Sequence, residues 1–213
     1  MANFAKTIRI FLIDGAPSGR WSCEMSNWTG KAYKIPRNKV LKCDDRPDLA
    51  SAAVYFLFGR DENDNELIYI GESENGIGRI KDHMPTKDYW SECVIFISKD
   101  DYLNKAHIKY MEHRFYQMAT EAKRFKIMNT TVPTTSSISE ADQAECEEFI
   151  HNARLMVNLL GFKAFEALAE KTGNDEEILY LSAAGLSASG KRTSEGFVVF
   201  AGSSVAKSIL RRC

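Results

Sequence analysis

Residues 52–58 (AAVYFLF) and 67–71 (LIYIG) decide the fold of this 213-residue chain. Both are short apolar runs rich in aromatic and β-branched residues, which is typical of buried strands. Between them, residues 59–65 (GRDENDN) are polar and rich in turn-forming Gly, Asp and Asn. The pattern therefore predicts an antiparallel hairpin at the centre of the fold.

Further strands are predicted on both sides of this hairpin. Residues 7–13 (TIRIFLI) form an apolar run that ends in a Gly- and Pro-containing turn at 14–19, and residues 94–97 (VIFI) form a buried strand. Residues 20–42 interleave aromatic and basic side chains. Such a segment either binds a nucleic-acid backbone and stacks bases, or is a β extension whose aromatics pack on the main domain.

Two helices follow the hairpin. A short helix from about Ile77 to His83 would place Arg79 and His83 four residues apart on one face. From Asn104 to Phe125 apolar residues recur at three- and four-residue steps, which predicts a longer helix. Glu112 falls within its apolar stripe, and a carboxylate there needs a partner because an unpaired buried charge is costly.

The C-terminal part is predicted to begin with a linker at residues 130–137 and a long helix capped by Ser139 that ends near Leu160, where Gly161 follows. Strands are expected at 178–183 and 196–202, with a turn near Gly190. The fold class is therefore α/β (α+β). We expect a β-rich extension at 1–48, a central domain at 49–130, a linker and long helix at 131–175, and a small β-rich domain at 176–213.

The overall charge gives no attraction to a polyanion. The net charge is −1 and the isoelectric point is about 6.4. Residues 1–48 carry nine Lys and Arg against five Asp and Glu, whereas residues 131–175 carry three against eight. Any binding of nucleic acid must therefore come from a local basic patch.

The five cysteines are scattered and form no Cys-x-x-Cys pair, which favours neither a zinc site nor a disulfide framework. A reducing cytoplasm is the expected location. The early apolar run at residues 8–13 contains Arg9 and is too short to span a membrane, and no signal-cleavage pattern follows it. We therefore expect no membrane partner.

The two aromatic strands and the polar residues after them resemble the active-site signature of the GIY-YIG nuclease family. Tyr55 and Tyr69 stand in the two strand motifs, Arg79 on the helix after the hairpin and Glu112 on the later helix, and Asn129 falls where the family often closes its domain. The resemblance covers about residues 52–129. It implies a small antiparallel sheet flanked by helices. It also implies that the protein hydrolyses phosphodiester bonds in DNA.

The resemblance also implies a role for each residue. Glu112 would hold a single Mg²⁺ or Mn²⁺ ion, since magnesium is usually bound by one or two carboxylates and keeps several waters. Arg79 would bind the scissile phosphate through its planar guanidinium. Tyr55 would be the general base and Tyr69 would shape the water network. His83 is the rival base because its ordinary pKa is about 6.5.

The C-terminal residues 193–203 (TSEGFVVFAGS) resemble a small domain of unknown function that is often attached to bacterial GIY-YIG proteins. That domain commonly continues further, so a short or truncated version is expected here. Several basic residues are candidates for contact with phosphates, with a solvated basic face as the alternative. These candidates are Lys81 on the first helix and, near the C-terminus, Lys191, Arg192, Lys207, Arg211 and Arg212.

Two residues depart from the family pattern. Ala53 stands where the first glycine is usual, and Glu72 stands where many members carry a lysine. Glu72 would either repel phosphate or act as a second metal ligand. Alternatives to a nuclease are a weakly active or inactive nucleic-acid-binding module of the same fold, and a structural protein in which the tyrosines are core aromatics and Arg79 pairs with Glu112.

Overall fold

The computed structural model describes residues 5–167, 178–183, 185–193 and 196–204. The chain divides into two compact units, Met1–Ala167 and Leu168–Cys213. The segments predicted at 1–48 and 49–130 therefore lie within one compact unit, together with the long helix that follows them.

The first unit contains a seven-stranded mixed sheet with the order β1-β2-β3-β6-β4-β5-β7. All neighbouring strands are antiparallel except β5 and β7, which are parallel. The expected small antiparallel sheet is thus part of a larger one. The strands are β1 Ile8–Leu12, β2 Trp21–Met25, β3 Gly30–Pro36, β4 Ala53–Arg60, β5 Glu66–Ser73, β6 Trp90–Ser98 and β7 Lys126–Ile127.

Three α-helices of this unit begin at side-chain caps. They are α1 Gly76–His83, α2 Lys105–Ala122 and α3 Glu140–Leu159. Backbone N–H groups in their first turns donate hydrogen bonds to the side-chain oxygens of Asn75, Asn104 and Ser139, respectively. These bonds satisfy donors that have no partner within a helix. The predicted helices are confirmed. Two 3₁₀ segments, Arg37–Asp45 and Pro47–Ala50, connect β3 to β4.

Strand β4 is buried on both faces, which explains its continuous apolar run. Its side chains alternate between two cores: Phe56 packs with residues of α2 and α3, whereas Tyr55 packs with residues of α1 and the 3₁₀ segments. Strand β5 pairs with β4 along its whole length, from Ala53 opposite Ser73 to Arg60 opposite Glu66. The predicted hairpin is therefore confirmed.

The N-terminal strands extend the same sheet, because β3 pairs with β6 along all seven of its residues. The Trp28 ring lies 5.0 Å from the ring of Phe149 and 6.3 Å from that of Phe96. Tyr33 is buried. The two aromatics thus pack on the main domain, which was one of the two interpretations of residues 20–42.

The second unit contains a three-stranded antiparallel sheet with the order β10-β9-β8, formed by β8 Ile178–Ala183, β9 Leu186–Thr193 and β10 Gly196–Val199. The turn predicted near Gly190 is wrong, because Gly190 lies inside β9 between Leu179 and Val199. An added Cβ at Gly190 would lie 2.5 Å from the Val198 carbonyl oxygen, so glycine allows the close approach of β10. Lys207, Arg211 and Arg212 lie outside the described residues.

Among the described residues, no helix has both the length and the apolar character needed to cross a bilayer. Cys23, Cys43, Cys93 and Cys146 are buried free thiols. Burial raises the pKa of Cys23 to about 11 and that of Cys146 to about 12, so these two thiols stay protonated and unreactive near neutral pH.

Asn129 extends the parallel contact of β7 with β5 by a side-chain hydrogen-bond pair. Its Oδ1 accepts the Ile70 N–H at 3.0 Å, and its Nδ2 donates to the Ile70 carbonyl oxygen at 2.7 Å. The amide thus satisfies the backbone of β5 just beyond the point where β7 ends. This is a physical reason for an asparagine at this position.

We expect Asn129→Ala to destabilise the first unit by about 2 kcal/mol, because two backbone groups of β5 lose their partners. Urea denaturation followed by circular dichroism measures this. Thr130→Ala, at the exposed neighbouring residue, is the control and should change the free energy of unfolding by less than about 0.5 kcal/mol. Equal stabilities of the two variants would contradict the role of Asn129.

Candidate functional site

Two tyrosine rings project from the same face of the hairpin. Tyr55 lies on β4 and Tyr69 on β5, where it pairs with Leu57, two residues from Tyr55 along β4. Their ring centroids are 6.3 Å apart, with an angle of 29° between the ring planes. Tyr55 is buried and Tyr69 is half-buried. The pair thus runs from the core towards the surface.

The glycine after Tyr69 and Ile70 makes room for the Tyr55 ring. Gly71 lies directly opposite Tyr55, and an added Cβ would be 2.4 Å from the Tyr55 hydroxyl oxygen. Only glycine leaves this space without displacing the ring. The second strand motif therefore ends in glycine for a steric reason.

Ala53 departs from the resembled pattern without backbone strain, since its φ is not positive. Its methyl group faces Gly76 at the start of α1, where an added Cβ would lie 2.7 Å from the Ala53 Cβ. Glycine at position 76 thus accommodates alanine at position 53. Alanine at position 53 is therefore compatible with the start of α1.

Helix α1 brings His83 beneath the tyrosines. The His83 side chain is buried, and its Nε2 lies 2.8 Å from the Tyr55 hydroxyl. Its ring centroid is 5.2 Å from that of Tyr69. Burial, with the positive charges of Lys87 and Arg79, lowers the His83 pKa to about 4. The imidazole is therefore neutral near pH 7, and an unprotonated Nε2 accepts the hydrogen of the Tyr55 hydroxyl.

Arg79 is the cation that acts on both tyrosines. Burial raises the pKa of Tyr55 and that of Tyr69, the neighbouring negative charge of Glu112 raises both further, and Arg79 lowers both. Arg79 is exposed to solvent and forms no ion pair with any described residue. Its guanidinium is therefore available to an anionic ligand.

Glu112 is a half-buried carboxylate on α2. Burial raises its pKa to about 7, and the negative charge of Glu72 adds to the effect against Lys105 and Lys109. Its carboxylate has no hydrogen bond or ion pair with the described residues, so the Arg79–Glu112 ion pair considered from the sequence is not formed. Glu112 is therefore a half-buried carboxylate without a partner among the described residues.

The carboxylate of Glu72 forms an ion pair with a lysine. Both of its oxygens accept hydrogen bonds from Lys105 Nζ at 2.7 Å, and its side chain is 12% exposed. Lys105 is the first residue of α2. The negative charge that Glu72 places near the end of β5 is therefore paired with a cation from helix α2.

The basic residues predicted to bind nucleic acid have different surroundings. Lys81 donates to Asp44 Oδ1 at 2.6 Å, which ties α1 to the first 3₁₀ segment. Lys191 and Arg192 lie on β9 of the second unit, the former half-buried and the latter exposed. In the first unit, Lys81 is thus held in an ion pair rather than left unpaired like Arg79.

No group of three or more His, Cys, Asp or Glu side chains suited to holding a metal was found within the described ranges. A divalent ion at Glu112 would therefore take most of its ligands from water and substrate.

One cation near the tyrosines was missed by the sequence reasoning. Lys87 Nζ lies 4.5 Å from the centre of the Tyr69 ring. Lys87 follows His83 by four residues, just beyond the end of α1, and this spacing was the only indication in the sequence that Lys87 lies near the tyrosines. A lysine in a polar loop is ordinarily solvated, so only the folded loop identifies this contact.

Comparisons of the chain with protein-family models, with curated proteins and with solved structures found no match. Membership of the GIY-YIG family stays a prediction. The chemistry proposed below therefore depends on the side chains of the cluster formed by Tyr55, Tyr69, Arg79, His83 and Glu112.

The raised pKa of Glu112 predicts a dependence of stability on pH. Because its pKa rises from 4.5 to about 7 on folding, the folded chain binds more protons than the unfolded chain between these values, and stability falls as pH rises through this window. Glu112→Gln removes this loss. Without divalent metal, we expect the Gln variant to be more stable than the unmodified chain at about pH 8, with the difference shrinking towards about pH 4.

Urea denaturation in a chelator across this pH range measures the difference. Glu121→Gln, at an exposed position of the same helix, is the matched control and should show no comparable trend. If Glu112→Gln is no more stable than the unmodified chain at about pH 8, the carboxylate is not desolvated as the structure indicates.

Proposed function

We propose that the chain is a metal-dependent endonuclease that hydrolyses phosphodiester bonds in DNA, and that its first unit contains a GIY-YIG-type domain. The observation that carries this proposal is the unpaired state of Arg79 and Glu112. Both act on the tyrosine hydroxyls, yet neither has an ion-pair partner among the described residues. A phosphate bound by Arg79 and a divalent cation bound by Glu112 would supply the missing opposite charges.

Glu112 would hold a single Mg²⁺ or Mn²⁺ ion through its carboxylate. When bound, the ion supplies Lewis-acid polarisation of the phosphoryl group and stabilises the charge of the leaving oxygen. Arg79 binds the scissile phosphate, since its planar guanidinium donates two parallel hydrogen bonds to phosphate oxygens. Arg79 thereby orients the phosphorus towards the tyrosine pair.

Tyr55 and His83 act together as the base. The Tyr55 oxygen would take a proton from the attacking water while its own proton moves to His83 Nε2, as the new P–O bond forms and the bond to the leaving oxygen breaks. The leaving oxygen would take a proton from solvent water. His83 is buried behind Tyr55, which suits a proton acceptor for the tyrosine rather than for water. Half-buried Tyr69 holds the water beside them.

Burial raises the pKa of Tyr55, so the free chain keeps this hydroxyl protonated. Arg79 opposes the effect, and the positive charge at Glu112 would remove the repulsion from its carboxylate. Tyr55 would therefore become a base only when the metal is bound. This requirement restricts hydrolysis to the assembled complex.

A second candidate function is a nucleic-acid-binding module with little or no catalytic activity. The raised pKa of Glu112 favours it, because protons then compete with a metal ion for the carboxylate near neutral pH. The charge of Glu72 contributes to that value. In both functions, Lys81, Lys191 and Arg192 are proposed to add contacts to the DNA backbone.

Incubation of the unmodified chain with single-stranded, duplex and branched DNA and Mg²⁺ or Mn²⁺ tests the proposal. We expect cleavage that Glu112→Gln and Arg79→Ala each reduce by at least about 100-fold, as for the loss of one electrostatic stabiliser of a transition state. Glu121→Gln is the matched control and should cleave like the unmodified chain. Circular dichroism verifies that each variant is folded.

Cleavage that survives Glu112→Gln would contradict the metal assignment. Salt-dependent binding of DNA without cleavage by the unmodified chain would support the second candidate function instead. Absence of both binding and cleavage would leave a structural role for the aromatic hairpin.

Tyr55→Phe is expected to lower the single-turnover cleavage rate by about 100-fold or more while the affinity for DNA stays within about threefold. The ring is kept, whereas the hydroxyl that transfers the proton is lost. Tyr116→Phe on α2 removes the hydroxyl of another half-buried tyrosine and should not change the rate. Unchanged cleavage by Tyr55→Phe would show that another group is the base.

A further inference from the structure

Lys87 occupies an ordered place beside the candidate site. It lies in the connection between α1 and β6, and its backbone N–H donates to the His83 carbonyl at 2.9 Å. The side chain is half-buried, and Nζ lies 4.5 Å from the centre of the Tyr69 ring. The aromatic face thus holds the cation next to the tyrosine pair.

Arg37 holds this connection in place. Its Nη1 donates to the Lys87 carbonyl at 2.5 Å, and its Nη2 donates to the Met84 carbonyl at 2.6 Å. Its guanidinium also lies 4.5 Å from the centre of the buried Trp90 ring. The backbone of Lys87 is therefore hydrogen-bonded through both its N–H and its carbonyl, which lowers the entropy lost when its side chain binds a ligand.

The charge of Lys87 has no acidic partner within 4.0 Å among the described residues. Lys81 and Lys105, by contrast, are each paired with a carboxylate. Lys87 and Arg79 both act on His83, so the two unpaired cations lie near the same imidazole. Two cations near one imidazole, both without counter-ions, form a surface suited to more than one negative charge.

We propose that Lys87 binds a backbone phosphate of the DNA strand next to the scissile phosphate held by Arg79. This inference rests on the proposed function and extends it, because it requires a polynucleotide with consecutive phosphates rather than an isolated phosphate ester. A lysine ammonium is a point charge without the fork geometry of arginine. Lys87 therefore contributes to affinity for the strand and not to the orientation of the scissile phosphate.

Lys87→Met tests this inference, because methionine preserves an unbranched apolar side chain against the Tyr69 ring and removes the charge. In a chelator, we expect its affinity for labelled DNA to fall by about 3- to 10-fold. The slope of log affinity against log salt should decrease in magnitude by about 0.9 for duplex or 0.7 for single-stranded DNA, as for the loss of one phosphate contact.

Lys123→Met is the matched control. Lys123 is exposed, follows the last residue of α2, and lies eleven residues after Glu112, or about 16 Å along the helix axis. It should leave the affinity and the salt slope unchanged. Lys87→Arg should keep both because it keeps the charge, and Lys87→Gln provides a second uncharged variant if Lys87→Met does not fold.

The outcomes separate this inference from the proposed function. Glu112-dependent cleavage together with unchanged affinity and salt slope in Lys87→Met would overturn the role of Lys87 and leave the nuclease standing. A reduced slope in a chain that does not cleave would support the phosphate contact and overturn the nuclease. A chain without salt-dependent affinity for DNA would overturn both.

Discussion

The antiparallel pairing of β4 with β5 is the constraint on which the rest of the structure depends. The register places Tyr55 opposite Gly71, and the glycine provides the space in which the tyrosine hydroxyl reaches His83. A slip of one residue would move the whole set of side chains to the other face of the sheet. Because β4 is buried on both faces, such a slip would also exchange the residues of two separate cores, so the register is strongly specified.

Burial explains the electrostatics of the site as well as its position. The sheet and α1 enclose His83 and Tyr55, which keeps the imidazole neutral and the hydroxyl protonated. Burial raises the pKa of half-buried Glu112, and no described residue forms an ion pair or hydrogen bond with its carboxylate. The burial of these ionisable groups opposes stability. Their occurrence around one pair of tyrosines distinguishes the cluster from an ordinary core.

Local signals account for the parts that the sequence predicted well. The apolar runs of the hairpin, the three-and-four periodicity of α2 and the capping Ser139 of α3 each depend on residues close in the chain, and each predicted element was confirmed. Gly190 misled the prediction because glycine marks both turns and close strand contacts. Its neighbour β10 comes from a later part of the chain, so the sequence around Gly190 could not distinguish these cases.

The sequence by itself determined the mixed α/β class, the central hairpin and the residue types of the candidate site, because strand and helix periodicities are local properties. Only the tertiary structure decided that the N-terminal strands share the central sheet, that Lys105 pairs with Glu72, and that Lys87 lies over Tyr69. These contacts join segments that are separated in the chain, and no local sequence pattern indicates that they meet. Burial and charge pairing in the folded chain determine which of the polar residues remain available to a ligand.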